Sequence, residues 1–273
     1  MPSWRSVGLV SERGKTDYTV RSLARGLDLL LKLQEPPHRF RPADFERHLG
    51  TSRNAVFRLL RTLQSRGFVQ RIGDLYGVGM RVFSLGQLAG HEVDALRSAA
   101  LPVAHDLQRA SDETVTVYIR DGNEALCVVA IESTQELRVA ATVGSRYPLN
   151  AGGPTKLLLA YLPEESREAI LSGPLAAVTA RTLVDPAALR ERTRLIRARG
   201  YEFSSGETFV GSTGFAAPIR DASGSAIAAL GLSGPEGRLA PIAETRLLPL
   251  VLKAAAEISA RLGFRDALPD PEV

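Results

Sequence analysis

The chain holds little of what staples, anchors or catalyses in other proteins. Cys127 is the single cysteine among 273 residues, which excludes an internal disulfide and suits a reducing compartment. It stands in the apolar run ALCVVAI, the setting of a buried, inert thiol. No stretch approaches the roughly 18 consecutive apolar residues of a membrane span. The opening MPSWRSVGLVSERGK has no apolar core of signal-peptide length, so the chain is expected in the cytoplasm, away from membranes. The four histidines, His38, His48, His91 and His105, are scattered without metal-ligand spacing. No serine sits in a G-x-S-x-G elbow, and NAGGPTKLLLA has Thr155 before Lys156 where a phosphate loop needs glycine. These absences speak against nucleophilic, metal-dependent and nucleotide-driven enzymes. No catalytic residue, metal or cofactor is expected.

What the chain does have is an uneven charge. The net charge is +4, yet residues 1–90 carry 15 Lys/Arg against 7 Asp/Glu, while residues 91–273 carry 19 against 23. A basic first third joined to a mildly acidic remainder suggests two bodies with different partners. A basic surface draws phosphate backbones through counterion release, whatever the base sequence. The length accommodates two domains, and an apolar fraction of 44% supplies a core for each.

Local patterns place the elements. TVRSLARGLDLLLKLQE reads as a helix with Leu23, Leu27, Leu30 and Leu31 at helical spacing, ended by Pro36 and Pro37. PADFERHLG reads as a short helix with proline in its first turn and Gly50 at its end. Thr51 or Ser52 caps a third helix, after which FVQR and LYGV flank Gly-Asp as a hairpin. Three helices and a hairpin make a winged helix-turn-helix, whose third helix enters the major groove. MRVFSLGQLAG leads out as a further helix, and HEVDALRSAALPVAHDLQRAS begins the second body with a break expected at Pro102. TVTVYIR, ALCVVAIES, ELRVAATVGS, GFAAPIR and AIAALGLSG read as strands. PTKLLLAYL, PAALRERTRLIRARG and PIAETRLLPLVLKAAAEISARLG read as helices. Hairpin pairs mixed with helices predict an α+β domain with a mostly antiparallel sheet.

Two stretches carry chemistry. In SRNAVFRLLRTL, Val56, Leu59, Leu60 and Leu63 share one arc of the helical wheel, while Asn54, Phe57, Arg58 and Arg61 share another. Arginine and asparagine pair bidentately with guanine and adenine edges, and Arg53, Asn54, Arg58 and Arg61 supply them. Phe57 is placed either to touch a thymine methyl or to pack against the neighbouring helix. In the second body, Gly152 and Gly153 let the chain turn into a helix whose first N–H groups suit a small anion. GYEFSSGETFVGSTGFAAPIRDASGSAIAALGLSGP is dense in glycine, serine and alanine, so its backbone can line a cavity closely. Glu207, within it, is expected to bond neighbouring backbone.

These motifs together resemble the IclR family of transcriptional regulators from about Val20 to Gly263. SLARGLDLLLKL and LGTSRNAVFRLLRTLQSRGFV resemble its winged helix-turn-helix, and GSRYPLNAGGPTKLLLAYLP its glycine-bearing loop and helix. RARGYEFSSGETFVGSTGFAAPIRD resembles its signature, with Gly200, Ser204, Glu207, Ala216, Ile219 and Asp221 at matching places, and AIAALGLSGP continues the match. The resemblance implies a DNA-binding domain (16–79), a linker helix (80–91) and a GAF-like α+β effector-binding domain (92–265). It implies a homodimer or dimer of dimers that binds double-stranded operator DNA, typically a repressor of catabolic genes, with a small ligand altering its grip. DNA contacts carried over by position are Ser52, Arg53, Asn54, Phe57 and Arg58, to which the basic helix face adds Arg61. The effector set carried over is Tyr147, Asn150, Gly153, Pro154, Ser204, Gly214, Gly231 and Ser233.

The chain departs from the family pattern at several points. Thr51 replaces the usual leucine after the turn glycine, and Ala55 a common threonine. The second wing strand lacks a basic residue, so wing contacts rest on Arg71. Gly214 stands where cysteine, serine or alanine is common, and Asn150 where histidine often follows the proline-leucine pair. A roomier cavity without an acidic residue is expected, holding a small organic acid or acyl compound, aromatic ones included. A bulky side chain at Gly214 is expected to fill it. The alternatives are a small-molecule-binding or hydrolytic enzyme with an accessory helical domain, and an architectural DNA-binding protein. The first lacks a catalytic set, and the second would not need so large a second domain.

Overall fold

A computed structural model describes residues 19–265. The expected domain start at residue 16 and the reading of the first fifteen residues lie outside them. The described chain divides into two units, up to His91 and from Glu92 onward.

In the first unit, capping chemistry sets the helix ends. α1 (Arg21–Lys32) leads to α2 (Pro42–Leu49), whose first turn carries proline and whose Asp44 carboxylate accepts the Arg41 N–H at 2.8 Å. Gly50 takes a left-handed φ of 56° and turns the chain. Ser52 then caps α3 (Arg53–Ser65), its Oγ accepting the Ala55 N–H at 3.4 Å. β1 (Val69–Ile72) and β2 (Leu75–Val78) pair antiparallel across Gly73, the predicted wing. Leu29, Leu33, Phe40, Phe45, Val56, Leu60, Val69 and Tyr76 form the core. The helix expected at Leu23, Leu27, Leu30 and Leu31 forms; Leu30 packs against this core beside Gly26, Leu29 and Leu33, while Leu23, Leu27 and Leu31 lie exposed on a second apolar face.

α4 runs from Met80 to Ser111 and crosses the division between the units. The break expected at Pro102 does not occur, and the helix expected over 80–91 is its first part. Leu96, Ala99, Ala100, Val103, Ala104 and Leu107 pack from α4 into the core of the second unit. That packing outweighs the roughly 3 kcal/mol that an interior proline costs.

The second unit is built on six strands: β3 (Thr114–Asp121), β4 (Glu124–Ile131), β5 (Arg146–Pro148), β6 (Glu202–Ser205), β7 (Ser212–Arg220) and β8 (Ala226–Pro235). Their order is β5-β4-β3-β8-β7-β6, antiparallel throughout. Strand alternation sorts the two faces. Val115, Val117, Phe215, Ala217, Leu230 and Leu232 face the core shared with α4 and with α9 (Leu248–Arg261). The other face packs α5 (Gly153–Ala160), α6 (Glu164–Leu171) and α7 (Pro186–Arg199) around Leu157, Leu171, Leu189 and Ile196. α6 and β6 were not anticipated.

Two predicted elements differ. ELRVAATVGS is not a strand, because side chains satisfy its backbone: Thr114 Oγ1 donates to Val139 O at 2.6 Å, and Ala141 N–H donates to Glu132 at 3.2 Å. The closing helix over 241–263 is instead α8 (Glu236–Leu239), a 3-10 turn at Ala240–Ile242, a π turn at Ala243–Leu247, and α9. Pro241 and Pro249, which cannot donate backbone hydrogen bonds, sit near its joints. Among the described residues no helix is long and apolar enough to cross a membrane.

Candidate DNA-reading face and effector cavity

α3 buries Val56 and Leu60 and turns Arg53, Asn54, Phe57, Arg58 and Arg61 outward. Phe57 is 46% exposed, so the ring does not pack into its own unit's core. Among the described residues no acid pairs with Arg53, Arg58 or Arg61, leaving three free cations and an amide on one face. Ser52 is exposed and occupied in capping α3. Arg71 folds over the wing tip, donating from Nε to Gly73 O at 2.8 Å with Asp74 at 3.9 Å, and remains about half exposed.

In the second unit a cavity of about 70 Å³ opens between the α5 face of the sheet and the loops before α5 and β7. Its origin lies in side-chain size. Thr116, Gly231 and Ser233 are the small residues of the sheet under the start of α5, and Pro154 takes the place of a side chain at Gly231, where a Cβ would stand 2.7 Å from its Cγ. Tyr147, Gly153, Pro154, Ser204, Gly214, Gly231 and Ser233 all line it. Asn150 does not: its side-chain amide donates to Ala176 O at 2.9 Å and Leu183 O at 3.0 Å, tying down the 173–185 segment. Thr116, Tyr118, Thr208, Phe209 and the 139–141 stretch were missed and complete the wall. Strand alternation opposite Val115 and Val117 could have found Thr116 and Tyr118.

The wall is aromatic on one side. Tyr118 meets Tyr147 edge-on at 6.1 Å, and Tyr147 meets Phe209 at 6.0 Å. Burial holds both phenols above the ordinary tyrosine range and pushes the neighbouring Cys127 thiol up to about 11. A thiol so placed is protonated at neutral pH and serves packing.

An acidic group lines the cavity, contrary to expectation. Glu207 Oε1 pairs with the ammonium of Lys156, and its Oε2 lies 3.5 Å from the Gly152 N–H. Lys156 is 1% exposed and also holds Glu202 Oε1 at 2.8 Å; the fully buried Glu202 in turn holds Arg192 Nε at 2.8 Å and Arg199. So Lys156, which sequence reading treated only as a failed phosphate loop, is the centre of a buried ion cluster. Gly214 also behaves differently from expectation. A Cβ there would stand 2.1 Å from the Leu232 carbonyl oxygen, inside the neighbouring strand and not in open cavity. Among the described residues no cluster of His, Cys, Asp or Glu could hold a metal ion.

A winged helix-turn-helix with unpaired cations on its third helix, and a cavity in a separate unit, suit a DNA-binding regulator. Residues 90–260 match the family described as bacterial transcriptional regulator IclR C-terminal, and residues 22–73 match the IclR helix-turn-helix domain. The chain belongs to the IclR family: it is a DNA-binding transcriptional regulator. It is similar to the HTH-type transcriptional repressor AllR of Escherichia coli K12, at 36% identity over 248 residues, covering 90% of this chain and 91% of that protein. Among solved structures it is similar to an IclR homolog of Microbacterium hydrocarbonoxydans complexed with 4-hydroxybenzoate. That match has 28% identity and a TM-score of 0.75, covering 88% of this chain and 98% of that one. In fold it is also similar to Thermotoga maritima IclR, at 23% identity and a TM-score of 0.71, covering 90% of this chain and all of that one.

Proposed function

We propose that the chain is a cytoplasmic repressor of catabolic genes that grips its operator as a homodimer, or a dimer of dimers, and changes that grip on binding a small acyl compound or organic acid. The observation that carries this reading is the pairing of an unneutralised arginine face on α3 with a walled cavity beside α5. Residues 16–79 bind DNA through Ser52, Arg53, Asn54, Phe57, Arg58, Arg61 and Arg71, and residues 92–265 bind the effector. Hydroxyls from Thr116, Ser204 and Ser233 hydrogen-bond its polar end, while Tyr118, Tyr147 and Phe209 cover an apolar or aromatic body. The 4-hydroxybenzoate in the Microbacterium relative and the repressor role of AllR support it. A dimer is supported by apolar residues that their own unit leaves exposed, Leu23, Leu27 and Leu31 on α1 and Val82, Leu85 and Leu88 on α4.

The test is a gel shift on DNA from upstream of the chain's own gene, across a salt series, with and without candidate acids. Affinity that falls steeply with salt, favours this DNA over unrelated duplex and changes with a ligand is the expected result. Salt-insensitive or sequence-blind binding overturns it. Sedimentation at micromolar concentration should give a dimer or larger; a strict monomer with intact operator affinity ends the dimer argument.

A further inference from the structure

Glu207 is the charged residue in the cavity wall, and the structure uses the two sides of its carboxylate differently. Oε1 is spent on Lys156, which is buried and shared with Glu202. Oε2 has only the long 3.5 Å contact from Gly152 N–H, in a residue that lines the cavity. A carboxylate has about four lone-pair positions and no proton to give, so this oxygen keeps capacity for one more donor. Its position is fixed by the backbone beneath it. Thr182 Oγ1 donates to Glu207 O at 2.7 Å, Thr179 Oγ1 donates to Gly206 O at 2.6 Å, and Gly206 N–H donates to Ser212 O at 2.7 Å.

The other polar side chains of the wall are hydroxyls, from Thr116, Tyr118, Tyr147, Thr155, Ser204, Thr208, Ser212, Thr213 and Ser233. Thr155, Thr208, Ser212 and Thr213 already donate to backbone carbonyls, while the hydroxyls of Thr116, Ser204 and Ser233 can rotate to donate or to accept and therefore discriminate weakly between ligand groups. Glu207 only accepts. A carboxylate aimed at the start of α5 would meet there an oxygen that offers it no proton, so no hydrogen bond forms between them.

We propose that Glu207 is the specificity-determining residue of the cavity and selects an effector that carries an O–H or N–H donor beside its acyl group. This inference rests on reading the cavity as the effector site. The effector class it names is the hydroxy acid, phenolic acid or amide, with the donor turned to Glu207 and any carboxylate turned away from it toward the hydroxyl-lined side.

Full-length protein titrated with matched pairs tests it, each pair exchanging a hydroxyl for a methyl of similar size: 4-hydroxybenzoate against 4-methylbenzoate, and lactate against 2-methylpropanoate. Thermal-shift titration should show the hydroxylated member binding about ten- to a hundredfold more tightly, the worth of a hydrogen bond to a charged group. That preference should shrink in Glu207→Gln. Glu207→Asp keeps a charge opposite Lys156 and withdraws the oxygen, so it should shrink the preference too and serves where Glu207→Gln does not fold. Ser233→Phe, which crowds the cavity, should abolish binding of every probe. Equal affinities within each pair in the parent, lost in Ser233→Phe, overturn the role of Glu207 and leave the cavity as the effector site. An unchanged preference in folded Glu207 variants overturns it as well. Undiminished binding in folded Ser233→Phe overturns the cavity reading, and this inference with it.

Discussion

The two units spend positive charge in opposite ways. On α3, Arg53, Arg58 and Arg61 stand exposed with no acidic partner among the described residues, so their charge is available to phosphates and base edges. In the second unit a handful of cations serve as internal cement. Lys156 bridges Glu202 and Glu207 out of solvent, Arg192 and Arg199 close on Glu202, and Arg238 clamps the buried Glu113 at 2.5 and 2.8 Å. The difference teaches that a chain-wide charge count says little about function. What matters is which cations have already been neutralised. It also makes a claim that substitution can break: in one unit removing a cation should cost binding, in the other it should cost folding.

The largest effect is expected at Lys156. Lys156→Met leaves Glu202 and Glu207 without their buried ammonium, and breaking a buried pair from one side typically costs about 3–5 kcal/mol. Arg53→Ala and Arg61→Ala, made at exposed positions, should change stability by no more than about 0.5 kcal/mol. Thermal or urea denaturation measures all three. A neutral Lys156→Met, or a collapse of Arg61→Ala, would erase the contrast between the units.

Next comes Gly214. Its added Cβ would lie 2.1 Å from Leu232 O and 2.9 Å from Ser233 Cα, both backbone atoms of β8 that cannot step aside. Even Gly214→Ala should therefore force β7 from β8 at a cost of about 1–3 kcal/mol or more, and Gly214→Trp should fail to fold. Gly153 offers the control. A Cβ there meets Ala216 Cβ at 3.5 Å and Ser204 Cβ at 3.6 Å, ordinary contact, so Gly153→Ala should fold and narrow the cavity. Equal stability of Gly214→Ala and the parent would mean that the two strands are not so closely apposed.

On the DNA side, the expected losses are in affinity. Arg58→Ala should weaken specific binding by about 1–3 kcal/mol, the worth of one bidentate base contact. Arg71→Ala should weaken specific and nonspecific DNA alike and lower the salt slope by about one. Competition gel shifts separate the two patterns. Parental operator affinity in Arg58→Ala would remove α3 from the reading role.

The same contrast explains what could be read before any coordinates. The winged helix-turn-helix was legible because its information is local. Gly50 turns the chain, Ser52 caps the next helix, and a wheel of 3.6 residues separates Val56 and Leu60 from Arg58 and Arg61. Where two apolar stripes shared one helix, as in α1, periodicity alone could not say which was inside. The cavity is non-local. Thr116, Gly153, Glu207 and Ser233 meet only because β3 pairs with β8 and α5 lies across them. Family positions supplied most of its small residues, but the Lys156–Glu207 pair depends on a loop reaching back over 51 residues of chain. The 136–145 stretch misled for a related reason: its β-branched and apolar residues suit a strand, but Thr114 and Glu132 hold it, and its 139–141 part lines the cavity.

The smallest effect tests burial itself, through pH. In the folded chain burial pushes the Cys127 thiol up to about 11, whereas an unfolded chain's thiol ionises near 8.5. Between those values the unfolded state has lost the proton and the folded state keeps it, so rising pH favours unfolding. The stability this thiol contributes is whole below about pH 8.5 and drains away toward pH 11, at no more than about 1.4 kcal/mol per pH unit. Tyr118, whose phenol burial raises in the same direction, adds to the loss above about pH 10. Urea denaturation under reducing conditions at pH 8 and at pH 10 should show the parent losing about 1–2 kcal/mol more than Cys127→Ala over that interval. Identical pH profiles for the parent and Cys127→Ala would mean that water reaches the thiol behind Tyr118. The sheet beneath the cavity would then be less dry than its packing requires.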